Sequence, residues 1–145
     1  MIKSSLVKKL LKKMDNIEHI GIAVSDLDEA NEVYTKLLGT KPYKQEHVKE
    51  EGVITSFFKT DNTKIELLQG VSENNAISNF IKKRGEGIHH IAFEVKNIIK
   101  EIARLKKLGF KIINETPKKG ADNKLICFIH PRSTKHVLIE LCQKI

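Results

Sequence analysis

The chain has 145 residues, a hydrophobic fraction of 40%, a charged fraction of 30% and a formal net charge of +8. This composition is ordinary for one globular domain with its own core, and no apolar run approaches the ~20 residues that a membrane-spanning helix requires. No apolar segment of the secretory type follows the N-terminal lysines, and the two cysteines have neither disulfide nor metal-site spacing. We therefore expect a cytoplasmic protein without a membrane partner.

Much of the positive charge lies in the first fourteen residues, which include five lysines and no acidic residue. Their apolar residues have helical spacing, and a basic amphipathic helix can in principle contact membranes or nucleic acids. We favour a simpler interpretation, in which residues 1–14 are an extension before a domain at 15–145 and Met14 is a possible native start. The remainder lacks the basic motif interleaved with aromatic residues that is typical of nucleic-acid binding, so no nucleic-acid partner is expected.

The first predicted module begins with a strand and continues into a helix. Residues 17–24 read IEHIGIAV, with the alternation that is typical of a strand. Ser25 or Asp26 is a suitable N-cap for the helix that follows, and Gly39 is a suitable stop. Three more strands are predicted at 43–48, 53–59 and 63–68.

The second predicted module repeats this order. Residues 88–95 read IHHIAFEV, with histidine again in the third position, and Asn97 and Gly109 bound the next helix. Further strands are predicted at 111–114, 125–129 and 136–142, and the tripeptide IEL occurs at 65–67 and again at 139–141. These matches indicate an internal duplication. Module 1 spans about 16–70, a linker helix spans about 75–83, and module 2 spans about 87–143.

Each module has one histidine and one glutamate at matching strand positions: His19 with Glu66, and His90 with Glu140. Strand alternation places all four on the face opposite the helices, where neighbouring side chains are mostly small. A single histidine or glutamate in a strand is more often a hydrogen-bonded core residue or a solvent-facing one, but the repetition favours a metal site. A divalent cation would offset the cost of the buried carboxylates. The donor set suits cobalt, zinc, nickel, manganese or iron(II).

The other histidines have no matching partner in the repeat. Alternation places His89 on the helix-packing face, and His47 and His136 are interpreted as surface or loop residues. His130, in the run FIHP, is the one most suited to line the site.

These features resemble the vicinal oxygen chelate superfamily and, within it, the methylmalonyl-CoA epimerases. The resemblance spans about residues 16–143 and rests on IEHIGIAV, NTKIELLQ (62–69), GEGIHHIAFEV (85–95), ETPKKGADNK (115–124) and FIHPRSTKHVLIEL (128–141). It implies an α+β fold in which two βαβββ modules form a curved mixed sheet around a metal-centred cleft. It also implies a homodimer and the metal ligands His19, Glu66, His90 and Glu140, with cobalt as the usual metal.

The resemblance implies interconversion of the R and S forms of methylmalonyl-CoA at C2. Chelation of the substrate through two oxygens would polarise the thioester carbonyl and stabilise an enolate. Proton delivery to either face requires two acid–base groups, and Glu140 is the first candidate, as ligand and proton carrier. The second group stays open, because Thr55 stands where some family members have glutamate. An ordered water or one of three nearby glutamates could replace it: Glu46, Glu50 or Glu51.

Three lysines flank the turn at 120–123 and could contact the phosphates of CoA: Lys118, Lys119 and Lys124. The alternative for each is a solvated surface lysine. Two other functions also remain open. One is a glyoxalase I-like isomerase with a similar His/Glu metal set. The other is a non-enzymatic drug-binding resistance protein that has the same fold and needs no metal.

Overall fold

The structure is a computed structural model that describes residues 4–145, so Lys3 of the basic segment lies outside the described residues. In chain order the elements are α1 (Ser4–Leu10), β1 (Asn16–Ala23), α2 (Leu27–Leu38), β2 (Lys44–Val48), β3 (Val53–Lys59), β4 (Lys64–Gly70), α3 (Ala76–Arg84), β5 (Gly87–Glu94), α4 (Ile98–Lys107), β6 (Lys118–Gly120), β7 (Lys124–Ile129) and β8 (Ile139–Lys144). The order β1-α2-β2-β3-β4 recurs as β5-α4-β6-β7-β8. This recurrence confirms the α+β class and the two βαβββ modules.

The chain divides into two compact units, and the division does not follow the sequence repeat. The first unit is Ile17–His90, and the second is Ile91–Ile145 with the N-terminal residues up to Asn16. The boundary falls within β5, directly after His90. The histidine of the second sequence module therefore belongs to the first unit.

The first unit contains a mixed sheet with strand order β2-β3-β4-β1. Strand β4 pairs parallel with β1 and antiparallel with β3. Helix α2 begins at its N-cap Asp26, which accepts a hydrogen bond from the backbone of Glu29, and it ends at Gly39 with a left-handed φ of 71°. Its buried Leu27 packs with Phe58 and Leu67 of the sheet, as expected for an amphipathic helix on one sheet face.

Helix α3 occupies the segment predicted as a linker helix. Its N-cap is Asn75, whose side chain accepts from the backbone of Ser78 at 2.8 Å. Ile77 is buried and packs in a cluster with Ala23 and Leu68. This packing fixes α3 against the ends of β1 and β4.

In the second unit the strand order is β5-β8-β7-β6. Strand β8 pairs parallel with β5 and antiparallel with β7. Helix α4 begins at its N-cap Asn97 and buries Ile98, Ile102 and Leu105 in a core that also contains Leu141. The strand order and pairing of the first unit therefore recur in the second.

The predicted strand at 111–114 is wrong. Ile112 forms an isolated bridge with Ile129, and the second strand of module 2 instead lies at Lys118–Gly120. The side-chain oxygen of Asn114 accepts from the backbone N–H of Phe128 at 3.1 Å and replaces a backbone carbonyl in the pairing. Pro117, which has no N–H to donate, then separates this bridge from β6.

The end of the N-terminal segment contacts α4. Arg104 Nη1 donates to the carbonyl oxygen of Leu10 at 2.8 Å, and Lys12 Nζ lies 3.3 Å from Glu101 Oε1. Glu101 is buried and also binds Arg104, while Met14 packs against the core of the second unit. Interpretation of residues 1–14 as an extension did not anticipate these contacts. Within residues 4–145, no helix is long and apolar enough to cross a membrane.

Candidate metal centre

Three of the four predicted ligands lie in the first unit. His19 is on β1, Glu66 is on β4 and His90 is on β5, and all three are buried. The fourth, Glu140, is on β8 of the second unit and is also buried. Burial of two carboxylates in apolar strands requires strong compensating interactions.

The side chains of His19, Glu66 and His90 converge on one point. The Nε2 atoms of the two histidines are 3.1 Å apart, and each lies 3.4 Å from Glu66 Oε1. Bonds of about 2.0–2.2 Å from a metal to such donors place neighbouring ligand atoms about 3.0–3.5 Å apart. The spacing of the three atoms therefore fits one face of a metal coordination sphere.

Gly21 makes room for the ring of His90. A Cβ atom at Gly21 would lie 2.1 Å from Cε1 of His90, which is far inside van der Waals contact. Gly21 pairs with Glu66 across β1 and β4, so the missing side chain lies beside the cluster. The sequence predicted small residues on this face, and at Gly21 the missing side chain leaves room for the imidazole of His90.

Thr55 holds the second oxygen of Glu66. Its hydroxyl donates to Glu66 Oε2 at 2.9 Å, while Oε1 faces the histidines. Burial alone would raise the pKa of Glu66, but the hydrogen bond with His90, the charges of both histidines and the Thr55 hydroxyl outweigh it. The pKa of Glu66 is therefore lowered from its ordinary value, which keeps it an anionic donor. The sequence indicated Thr55 only as a residue that cannot act as a base, and its contact with Glu66 was not predicted.

The residue before each histidine contacts its Nδ1 atom. Glu18 Oε1 lies 3.1 Å from Nδ1 of His19, and Glu18 Oε2 accepts from Lys64 Nζ at 2.9 Å. His89 Nδ1 lies 2.9 Å from Nδ1 of His90. Neither contact was predicted, because strict strand alternation sends adjacent side chains to opposite faces. A carboxylate directly beside a predicted histidine ligand was the one available signal.

His89 is a neutral partner for His90. Its ring packs edge to face on Phe80 of α3, with centroids 5.1 Å apart. Burial, and next the charge of His90, lower the pKa of His89 to about 4. A neutral His89 can accept a hydrogen bond from Nδ1–H of His90.

Glu140 has a different environment within the second unit. It lies opposite Ala92 on β5 and Phe128 on β7. Burial, together with the charge of Glu140, raises the pKa of the Cys127 thiol to about 12. The thiol therefore stays protonated at neutral pH.

The four residues proposed for substrate contact occupy different surroundings. Lys118 and Lys119 are exposed on β6. Lys124 is buried, and its Nζ lies 3.3 Å from Asp122 Oδ2 within the turn. His130 caps a short 3-10 helix, where its Nδ1 accepts from the backbone of Arg132 at 3.1 Å.

Of the acidic residues considered for the second proton carrier, Glu46 has the most informative position. It pairs directly with Thr55 across β2 and β3 and makes an ion pair with Lys44 at 3.0 Å. Directly paired residues project to the same sheet face, so Glu46 and Thr55 share a face. Glu50 and Glu51 lie in the 3-10 helix after β2.

Comparisons with known proteins agree with this fold. The family model of the glyoxalase/bleomycin resistance protein/dioxygenase superfamily matches residues 18–128. The mitochondrial methylmalonyl-CoA epimerase of Dictyostelium discoideum is 39% identical over 129 residues, covering 88% of this chain and 78% of that protein. The ethylmalonyl-CoA/methylmalonyl-CoA epimerase of Cereibacter sphaeroides is 37% identical over 129 residues, covering 88% and 96%. A variant of the Streptomyces coelicolor methylmalonyl-CoA epimerase in complex with 2-nitronate-propionyl-CoA has a TM-score of 0.86 and 30% identity, covering 91% and 96%.

Proposed function

Because the chain belongs to the methylmalonyl-CoA epimerase family of the glyoxalase/bleomycin resistance protein/dioxygenase superfamily, we propose that it interconverts the R and S epimers of methylmalonyl-CoA. The observation that carries this proposal is the convergence of His19, Glu66 and His90 on one point. An acyl-CoA substrate is consistent with the relatives named above.

The donor set fits a divalent metal ion, and we propose cobalt, with zinc, nickel and manganese as alternatives. The Nδ1 atoms of both histidines already contact Glu18 and His89, so their Nε2 atoms can present lone pairs towards Glu66. Three electron-rich atoms at 3.1–3.4 Å are stabilised by a cation between them. Glu140 is proposed as the fourth ligand.

The bound metal would supply Lewis-acid stabilisation of negative charge on the substrate's oxygens. The protein's own groups move the proton. Glu140 takes the proton from C2 on one face, which leaves an enolate, and a second carboxylate returns a proton on the other face. Glu66 is proposed as a ligand only, because Thr55 and the histidines hold both its oxygens. The position of Glu46 opposite Thr55 favours it as the second carrier.

Contacts with the CoA portion are proposed for Lys118 and Lys119, whose exposed ammonium groups on β6 can reach phosphate oxygens. The ammonium group of Lys124 makes an ion pair with Asp122, so Lys124 is proposed mainly to stabilise the turn. His130 remains a proposed lining residue. A homodimer and a cytoplasmic location stay predictions.

The test is to supply one pure epimer to cobalt-loaded protein in deuterated water. We expect formation of the other epimer with deuterium incorporated at C2. Absence of both, in protein shown to contain metal, would overturn the proposed activity. Turnover of the thiohemiacetal of glyoxalase I would instead support the isomerase alternative. Failure to bind cobalt, nickel, manganese or zinc would support the drug-binding alternative.

A further inference from the structure

We propose that Glu18 is a positioning residue that holds His19 with its proton on Nδ1 and so presents the Nε2 lone pair to the cluster. This inference rests on the proposed metal-dependent function, which it deepens by naming a residue outside the predicted ligand set. Three observations carry it: the contact of Glu18 with His19, the contact of Glu18 with Lys64, and the burial of the carboxylate.

The first observation determines the direction of the hydrogen bond. Glu18 Oε1 lies 3.1 Å from Nδ1 of His19. An ionised carboxylate can accept hydrogen bonds but cannot donate them, so Nδ1 of His19 must be the donor. In a neutral imidazole, a proton on Nδ1 leaves the lone pair on Nε2. Nε2 is the atom that lies 3.1 Å from His90 and 3.4 Å from Glu66.

The second observation is the contact of Glu18 with a cation. Lys64 Nζ donates to Glu18 Oε2, the oxygen that does not contact His19, at 2.9 Å. The side chain of Glu18 is 6% exposed and that of Lys64 is 19% exposed, so the pair is shielded from water. This is the geometry of a charge-assisted hydrogen bond in which the carboxylate is the acceptor. Lys64 thus supports Glu18, and Glu18 supports His19.

The structure offers an internal contrast in His90. Its Nδ1 contacts another imidazole, that of His89, at 2.9 Å. An imidazole can donate or accept through Nδ1, according to which of its nitrogens carries the proton. Glu18 can only accept the hydrogen bond, so the position of the ring proton is fixed in His19 and not in His90. A carboxylate behind a ligand histidine also makes the ring a stronger donor to a metal.

The first experiment observes the proton directly. Long-range proton–nitrogen NMR of the metal-free protein, with its histidines labelled with nitrogen-15, should show His19 protonated at Nδ1 and in slow exchange with water. An unprotonated Nδ1 in the unmodified protein would overturn the proposal. This readout depends on neither metal binding nor turnover. It therefore still decides the proposal if the proposed function fails.

The second experiment compares two substitutions of Glu18. Glu18→Leu removes the acceptor, and we expect loss of the protected Nδ1–H and an increase of about 10–100-fold in the Kd for cobalt and zinc by calorimetry. Glu18→Gln retains an acceptor oxygen and should preserve the Nδ1–H and most of the affinity. Retained affinity without the Nδ1–H, or lost affinity with it intact, would each overturn the proposal.

A matched control separates positioning from stability. Glu101 is a glutamate of similar burial, 4% exposed against 5% for Glu18, and it also has basic partners. Glu101→Leu should lower the midpoint of thermal unfolding but leave the Kd for cobalt and the His19 resonance unchanged. If Glu101→Leu weakened cobalt binding as much as Glu18→Leu, loss of a buried ion pair would explain both, and the proposal would be overturned.

Discussion

The two predicted glutamate ligands lie on matching strands but have different neighbours. Two residues after Glu66, Leu68 pairs with Thr55, whose hydroxyl reaches back to Glu66. Two residues after Glu140, Cys142 pairs with Ile126, whose side chain has no hydrogen-bonding group. The duplication thus repeated the carboxylate but not the threonine whose hydroxyl donates to Glu66 Oε2. The two carboxylates are proposed to have distinct functions, with Glu66 as a ligand only and Glu140 as the group that moves a proton.

The largest expected effect is at Glu140. Glu140→Ala should lower kcat for epimerisation by about 10²–10⁴-fold, because one face of the enolate loses its proton carrier. The matched change, Glu66→Gln, keeps a ligand oxygen and should reduce kcat much less. Initial rates and metal content measured on both variants check this. Equal losses in kcat at equal metal content would remove the distinction between the two glutamates.

The second prediction concerns the opposite face of the enolate. Glu46→Gln should lower kcat by about 10²-fold, because it removes the proposed second carrier and leaves the metal ligands intact. Glu50→Gln and Glu51→Gln are controls of the same chemistry in the adjacent 3-10 helix. Solvent deuterium exchange at C2 should persist from one epimer in Glu46→Gln, because Glu140 still acts on its face. A larger loss in either control would move the assignment away from Glu46.

The third prediction uses the matching positions Gly21 and Ala92. Gly21→Ala would place a methyl group in the ring of His90, so we expect at least about tenfold weaker cobalt binding and a loss of about 1–3 kcal/mol in unfolding free energy. The control Ala92→Gly adds no atom and should cost about 0.5–1 kcal/mol through backbone flexibility. Calorimetry and denaturant unfolding measure both quantities. Unchanged cobalt affinity in Gly21→Ala would show that the ring can be seated elsewhere.

The smallest effect is expected at Thr55 and appears in the pH dependence of stability. The lowered pKa of Glu66 stabilises the metal-free protein above the unfolded-state pKa, and this contribution is lost as the pH falls through the folded-state pKa. Thr55→Val removes the hydroxyl that helps to lower the pKa of Glu66. The free energy of unfolding of this variant should therefore fall by about 1–3 kcal/mol near neutral pH. Its acid-unfolding midpoint should move to higher pH. Ile126→Thr is the matched change at the corresponding position of the second unit. It does not alter the pKa of Glu66, so it should not produce this pKa-linked shift of the acid-unfolding midpoint. Circular dichroism in the presence of a chelator measures the curves.

Sequence patterns predicted the repeated features well. Both modules, their helix caps and the convergence of His19 with Glu66 follow from apolar periodicity and from repeated tripeptides. The features that one side chain determines were not predicted. Asn114 ended a strand through its own hydrogen bond, and Glu18 reached its neighbour His19 against strict alternation. Periodicity describes backbone direction, whereas these contacts depend on the reach of individual polar groups.

The same distinction applies to the N-terminal segment. Its lysines and apolar residues predicted a short helix, and α1 is present at Ser4–Leu10. Arg104 of α4 contacts the backbone carbonyl of Leu10, and Lys12 contacts the buried Glu101 of α4. In both pairs the two residues are far apart in the sequence. No local pattern encodes such a pairing.

The close approach of His90 to Gly21 has a consequence for the history of the protein. In the second copy of the duplicated strand the matching position holds a buried alanine, Ala92. An ancestor with alanine at both positions could not have seated the His90 ring where it now lies. The present placement of the imidazole therefore requires glycine at position 21. The two copies of the strand are not interchangeable, because the first provides the space that a side chain of the second fills.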